Sequence, residues 1–210
     1  MMHKKPRIVA VFGQKGGSGK TTICVHLAVA AQQDEERVGV LDVDPQRSAY
    51  AWAQFRPKDK PPAIASCRSD QMSEYFAATQ KTELTLLLID TAPHASVGVY
   101  DAVKYADFLI MPCRPSILDL SAIEATVRIA ESTKVPGAFV LTGVPPRSPE
   151  VVAAREALES FSFPVAPVQI GHRTAFVRAL ASGQSVTEFE PSSVAADEMR
   201  QLWKWVKKAI

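Results

Sequence analysis

Along the chain, short unbroken apolar runs alternate with longer stretches in which apolar positions recur at helical spacing. The runs are Arg7–Phe12, Val38–Asp42, Leu84–Asp90, Phe108–Pro112, Ala138–Thr142 and Val165–Ile170. Strands covered by helices on both faces are apolar throughout, so these runs predict buried parallel strands rather than a half-exposed alternating sheet. Helical length and spacing mark Lys20–Gln33, Ser69–Gln80, Ser96–Tyr105, Leu118–Ser132, Pro149–Ser160, Thr174–Ala181 and Ser192–Lys208. Several of these open on Ser, Thr or Pro, residues suited to a first helical turn. Strand then helix, repeated, predicts an α/β fold: a doubly wound, mostly parallel sheet flanked by helices. The proline-rich, charged stretch Arg56–Ala63 reads as a surface loop, and no internal repeat or low-complexity tract is visible.

Composition narrows this picture. A length of 210 residues suits a single domain, 1–210, with a core that needs no staples. With 47% hydrophobic and 22% charged residues, the chain fits neither a disordered nor a fibrous class. Cys24, Cys67 and Cys113 lie far apart and never form a C-x-x-C pair, which excludes a disulfide framework or zinc knuckle and fits a reducing cytoplasm. MMHKKPR has no apolar leader and no apolar run reaches spanning length, so export and membrane integration are not expected. A net charge of +2 is too mild to announce a nucleic-acid partner, so the location of the charge has to decide.

Chemistry enters where the first predicted strand meets the first helix. RIVAVF, then GQKGGSGKTT, then ICVHLAVAAQQ reads as strand, glycine-rich turn and helix. In that setting Gly16, Gly17, Ser18 and Gly19 can turn successive backbone N–H groups onto phosphate oxygens, aided by the positive end of the helix. Lys20 reaches the β- and γ-phosphates, Thr21 offers its hydroxyl to magnesium, and Thr22 completes the loop. Glycines in a helix-opening turn cost backbone entropy, which argues against a turn that binds nothing. Asp42 and Asp44, at alternate positions after the second run, can both face the carboxyl end of the sheet, where open α/β folds bind ligands. Two spaced carboxylates there can serve a magnesium-bound triphosphate and orient an attacking water. LTLLLIDTAPHAS ends an aliphatic strand on Asp90, a pattern for an acid that holds a magnesium-bound water; such an acid can also cap the following turn.

KGGSGKTT resembles the deviant Walker A motif of the ParA/MinD family of ATPases, in which a lysine at the position of Lys15 is the signature. The resemblance implies a P-loop NTPase that hydrolyses ATP with Mg2+, slowly without a partner, as a sandwich homodimer in which Lys15 reaches the facing subunit's nucleotide. It implies that the D-x-D-P-Q segment is switch I, with Asp44 positioning the hydrolytic water and Asp42, Asp44 and Asp90 around the metal. ADFLIMPCRPSILDLSAI is similar to the family's P-x-x-P-S-x-x-D segment at Pro112, Pro115, Ser116 and Asp119, which leads into an interface helix; Asp119 could equally be a helix N-terminal charge. FVLTGVPPRS resembles the adenine-side segment, making Thr142 and Pro145 candidate base contacts. Ala92 stands where the family usually has proline.

The likeness is strongest to the short plasmid- or cargo-partition ATPases that lack an N-terminal helix-turn-helix, since few residues precede the first strand. It implies a cytoplasmic, nucleoid-associated protein that binds non-specific DNA and meets a ParB-like adaptor that stimulates hydrolysis. Three readings stay open for the last helix, whose Met199, Leu202, Trp203, Val206 and Ile210 face lies beside Arg200, Lys204, Lys207 and Lys208. It is a core helix with a solvated side, a DNA backbone-contacting stripe joined by Arg173 and Arg178, or a membrane-surface helix as in MinD-like positioning ATPases. A shared-cluster reductase on this scaffold would need a cysteine after Asp90, and none occurs before Tyr105; ligases of this scaffold generally lack the Lys15 equivalent.

Overall fold

The computed structural model describes residues 5–93, 97–116, 119, 122–147 and 149–210. Its sheet is built from β1 (Arg7–Val11), β2 (Val38–Asp42), β3 (Ala63–Ser66), β4 (Leu86–Asp90), β5 (Phe108–Cys113) and β6 (Gly137–Leu141). The spatial order is β3-β2-β4-β1-β5-β6 and every pairing is parallel. The chain runs outward from β1 in one direction and later returns to run outward in the other. That reversal opens a crevice at the carboxyl ends of the strands beside β1.

Alternate residues of each strand feed two separate cores. Val9, Val11, Val38, Val40, Leu86, Leu88 and Ile110 face α1 (Lys20–Gln33), α7 (Thr174–Ala181), α8 (Val186–Phe189) and α9 (Val194–Ala209). Ile8, Ala10, Phe12, Leu87, Ile89, Leu109 and Met111 face α3 (Met72–Thr79), α4 (Val97–Tyr105), α5 (Ile123–Thr133) and α6 (Glu150–Glu159). With both faces covered, no strand position is left for a polar side chain except at the strand ends. The expected doubly wound α/β fold is the one found.

Local differences have local causes. The expected strand Val165–Ile170 does not form: the segment runs beside β6 and makes only isolated bridges, at Val165 and Gly171. Pro164 and Pro167 remove donors from its ladder, leaving bonds such as Ala166 N–H to Phe139 O and Ile170 N–H to Leu141 O. β3, inside no expected strand, is four residues long and lies at the sheet edge directly after Pro61-Pro62. A helix expected over Ser69–Gln80 begins as a 3₁₀ turn, Ser69–Gln71, before α3. The expected starts at Ser96 and Leu118 lie outside the described residues.

α9 closes the domain with its apolar side inward: Met199, Leu202, Trp203 and Val206 are buried in the core that covers α1. The Trp203 indole N–H donates to Asp34 Oδ2 at 2.8 Å, and Lys207 Nζ meets the same oxygen at 2.7 Å. A second anchor lies by α8. Buried Arg56 donates to Gly183 O at 2.9 Å and to both Glu188 oxygens at 2.9 and 3.1 Å, and it stacks over Trp52 at 4.7 Å. Glu188 completes a capping box with Ser185, whose hydroxyl lies 3.1 Å from Nδ1 of buried His26 in α1.

Gly183 is the tight point of this anchor. Its φ is +67°, and an added Cβ would lie 2.3 Å from the Phe55 carbonyl oxygen. Gly183→Ala is therefore expected to destabilise the protein by about 2–4 kcal/mol, from left-handed strain plus overpacking against backbone. Urea unfolding measures this; an unchanged midpoint would mean that the anchor yields freely.

Candidate functional site

The loop between β1 and α1 opens the crevice. Gly17 and Gly19 have φ of +75° and +96°, values that L side chains rarely adopt. A Cβ at Gly16 or Gly17 would meet nothing within 4 Å, so the space in front of these residues is open. The loop is braced from behind: Gln14 N–H donates to Thr126 Oγ1 at 3.1 Å, and Thr142 Oγ1 donates to Ser18 O at 2.7 Å.

The two lysines of the loop are held apart. Lys20 is buried, and its Nζ donates to Lys15 O at 2.9 Å. Burial lowers the Lys20 pKa, and the carboxylates of Asp90 and Asp44 oppose that shift. Lys15 points its Nζ at Asp119 Oδ2, 2.9 Å away, and Ser116 Oγ hydrogen-bonds the same carboxylate oxygen. Asp119 therefore faces Lys15 within its own chain.

The three strand-end acids differ sharply. Asp90 and Asp42 are register partners at the ends of β4 and β2, and both are fully buried. Among the described residues, neither Asp90 oxygen has a hydrogen-bond partner of good geometry. Burial pushes its pKa up to about 8, Asp42 and Asp44 push the same way, and the Thr21 hydroxyl and Lys20 pull against them. Asp42, by contrast, is fully engaged: Oδ1 accepts Asp44 N–H at 3.1 Å and Oδ2 accepts Tyr50 N–H at 2.9 Å. It thereby caps α2 (Ser48–Ala53), whose own preceding residue, Arg47, supplies no side-chain cap. Half-exposed Asp44 accepts Gln46 N–H at 2.9 Å through Oδ1.

These features fit a magnesium-bound polyphosphate. An open cradle of backbone N–H groups suits phosphate oxygens, and buried oxygen atoms without partners suit a hard cation. The Asp90 oxygens lie at the loop end of the sheet, and the buried Ser18 Oγ likewise has no hydrogen-bond partner among the described residues.

Beside the loop, a cavity of about 160 Å³ is lined in part by Thr142, Arg114, Gly171, His172 and Phe176. Of the two candidate base contacts, Thr142 lines this cavity and exposed Pro145 does not. Arg114, His172 and Phe176 line it as well, and no local pattern of the sequence had singled them out. The basic residues are dispersed. Arg173 pairs with Glu198 at 2.6 Å, Arg178 approaches Glu190 at 3.9 Å, and Arg200 donates to Pro191 O at 2.7 Å. Lys207 pairs with Asp34, whereas exposed Lys204 and Lys208 have no acidic partner among the described residues. Arg200, Lys204 and Lys207 share a groove between α1 and α9 with Asp34 and Trp203.

Asp90 sets a pH dependence. A carboxyl whose folded pKa lies near 8, above its ordinary range, gives the native state an extra proton between the two values, so native stability falls as pH rises through that window. Asp90→Asn removes the penalty. In the ligand-free protein it is expected to raise Tm by several degrees at about pH 8.5 and by much less at about pH 5, where only a small part of that window has been crossed. Thermal unfolding at the two pH values checks this, and equal effects at both would contradict it.

Comparison with known proteins agrees with this geometry. The family described as CobQ/CobB/MinD/ParA nucleotide binding domain matches residues 9–186. The chain is 34% identical to the Maintenance of carboxysome distribution protein A of Gloeobacter kilaueensis, over 95% of this chain and 96% of that one. It is 29% identical to the protein of the same name from Halothiobacillus neapolitanus, over 96% and 97%. In structure it resembles the septum site-determining protein MinD of Pyrococcus horikoshii, solved with Mg-ADP, at a TM-score of 0.78 and 17% identity over 97% of both chains. The chain therefore belongs to the CobQ/CobB/MinD/ParA nucleotide-binding family.

Proposed function

We propose that this ParA/MinD-type positioning ATPase is a two-state switch. ATP joins two copies face to face, the dimer holds non-specific DNA, and a ParB-like adaptor on a cargo stimulates hydrolysis and release. In the cell it would act in the cytoplasm, on the nucleoid.

The observation that carries the reading is the division between the loop's two lysines. Lys20 is fixed inward, on the carbonyl of Lys15 and toward the strand-end acids, where it can neutralise phosphate charge within its own subunit. Lys15 points away, and its side chain is 36% exposed, which leaves its cation free to serve a facing subunit once it exchanges Asp119 for phosphate. Backbone N–H groups of Gly16, Gly17, Ser18 and Gly19 bind phosphate oxygens, with Thr22 at the helix start. Thr21, Asp44 and Asp90 would hold magnesium, directly or through water, and the bound ion withdraws charge from the terminal phosphates. Asp44 orients the attacking water. Asp42 acts one step back, since its carboxylate holds the backbone of Asp44.

Two further observations support the finer parts. The apolar side of α9 is buried in the core, which favours DNA over a membrane as the surface the switch controls. Relatives named for carboxysome distribution match nearly end to end, which favours a protein compartment over a plasmid as cargo.

Lys20→Ala is expected to abolish ATP binding in calorimetry, whereas Lys15→Ala keeps binding and loses ATP-dependent dimerisation in light scattering. Asp44→Ala should accumulate an ATP-bound dimer with turnover reduced about 100-fold or more, as befits loss of a group that positions the nucleophile. Full dimerisation by the Lys15 variant would sink the cross-subunit role. Lys204→Glu with Lys208→Glu is expected to remove DNA binding and leave ATP binding and Tm unchanged, because neither lysine is tied into the fold. The DNA reading fails if this variant still retards non-specific DNA.

A further inference from the structure

The wall of the 160 Å³ cavity formed by Gly171, His172 and Arg173 belongs to a loop without regular structure. On one side backbone bonds fix it to the end of β6: Val144 N–H donates to Ile170 O at 3.0 Å and His172 N–H donates to Val144 O at 2.8 Å. On the other side it is held by one side chain from α9. Glu198 Oε2 accepts Gly171 N–H at 3.1 Å, and the Glu198 carboxylate takes Arg173 Nε at 3.1 and 3.2 Å and Nη2 at 2.6 Å.

The fork is partly shielded, with 15% of the Glu198 side chain exposed. Charge-assisted, multidentate contacts of this kind define a geometry as well as an energy. The arrangement also depends on Gly171. A Cβ there would lie 2.9–3.0 Å from Arg173 Nε, Cζ and Nη2, so the guanidinium folds back against its own loop and would have to shift for any larger residue. Loop amide, arginine and glutamate therefore form one interlocked unit whose inner surface is cavity wall.

We infer that Glu198 is a positioning residue for the nucleobase pocket, by which the C-terminal helix holds that pocket's wall in place. The inference rests on the nucleotide reading of the site. Gly171, Arg173 and Glu198 move together because the amide and the guanidinium share one carboxylate. The far side of this wall is α9, held there through Glu198. Arg173 is thereby assigned to the wall of the pocket, held by Glu198, rather than to a DNA-facing stripe. Ser18, Gly19 and Thr22 line the same cavity on its loop side, but the bonds of the fork run only among Glu198, Gly171 and Arg173, so phosphate binding at Gly16–Thr21 does not depend on it.

Two ligands separate the parts. ADP uses base pocket and phosphate loop, whereas inorganic tripolyphosphate uses the loop alone. Titration calorimetry of Glu198→Gln and of Gly171→Ala is expected to show ADP affinity reduced about tenfold or more, the size of one charge-assisted hydrogen bond, with tripolyphosphate affinity unchanged. Unchanged tripolyphosphate binding also certifies that each variant is folded. Wild-type ADP affinity in Glu198→Gln would overturn the inference. So would equal weakening of both ligands, the mark of a merely structural role. If the wild-type protein binds ADP no better than tripolyphosphate, the base-pocket reading falls and the inference with it.

Discussion

A carboxyl group without a partner, sealed at the end of β4, is the constraint around which the rest of the site is arranged. Burying Asp90 beside Asp42 and near Asp44 concentrates acid where the protein offers it little compensation. Thr21 and Lys20 offset part of this, and the remaining demand for positive charge is left to whatever enters the crevice. The fold makes such a placement unavoidable: both faces of the sheet are apolar core, so strand-borne chemistry can sit only at strand ends.

Around that demand, neighbouring groups take unequal parts. Asp42 has the same chemistry and nearly the same position as Asp90, yet its oxygens are occupied by the amides of Asp44 and Tyr50. One strand-end acid thus waits for a ligand while the other builds the loop that holds Asp44. Lys15 and Lys20 divide similarly, one facing outward to Asp119 and the other inward. In both pairs, identical side chains acquire different work from what their backbone neighbours do.

The sheet and the phosphate loop were legible in the sequence because their signals are local: apolar runs of strand length, glycines where φ is positive, a lysine and threonine at a helix start. What escaped was set by distant partners, or by prolines whose missing donors composition does not count. α2 gave no start signal because its cap comes from Asp42, eight residues before Tyr50. Val165–Ile170 has strand composition, but its flanking and internal prolines break the ladder that composition implies. Glu198 was invisible because the reading of α9 weighed its cations and its apolar face. The same helix shows why a stripe drawn on a wheel misleads, for Lys207 is bound to Asp34 while Lys204 meets no acid among the described residues.

The anchoring of α9 has a consequence for how such a protein can diverge. Its inner face is core, Trp203 and Lys207 fasten it to Asp34, and Glu198 fastens it to the loop at Gly171. Sequence drift along this helix is therefore filtered position by position, and only outward residues such as Lys204 and Lys208 can be exchanged at little cost to the fold. A lineage that needed a weaker or stronger grip on its surface would have to adjust it there, one charge at a time, since the helix cannot be swapped as a detachable module.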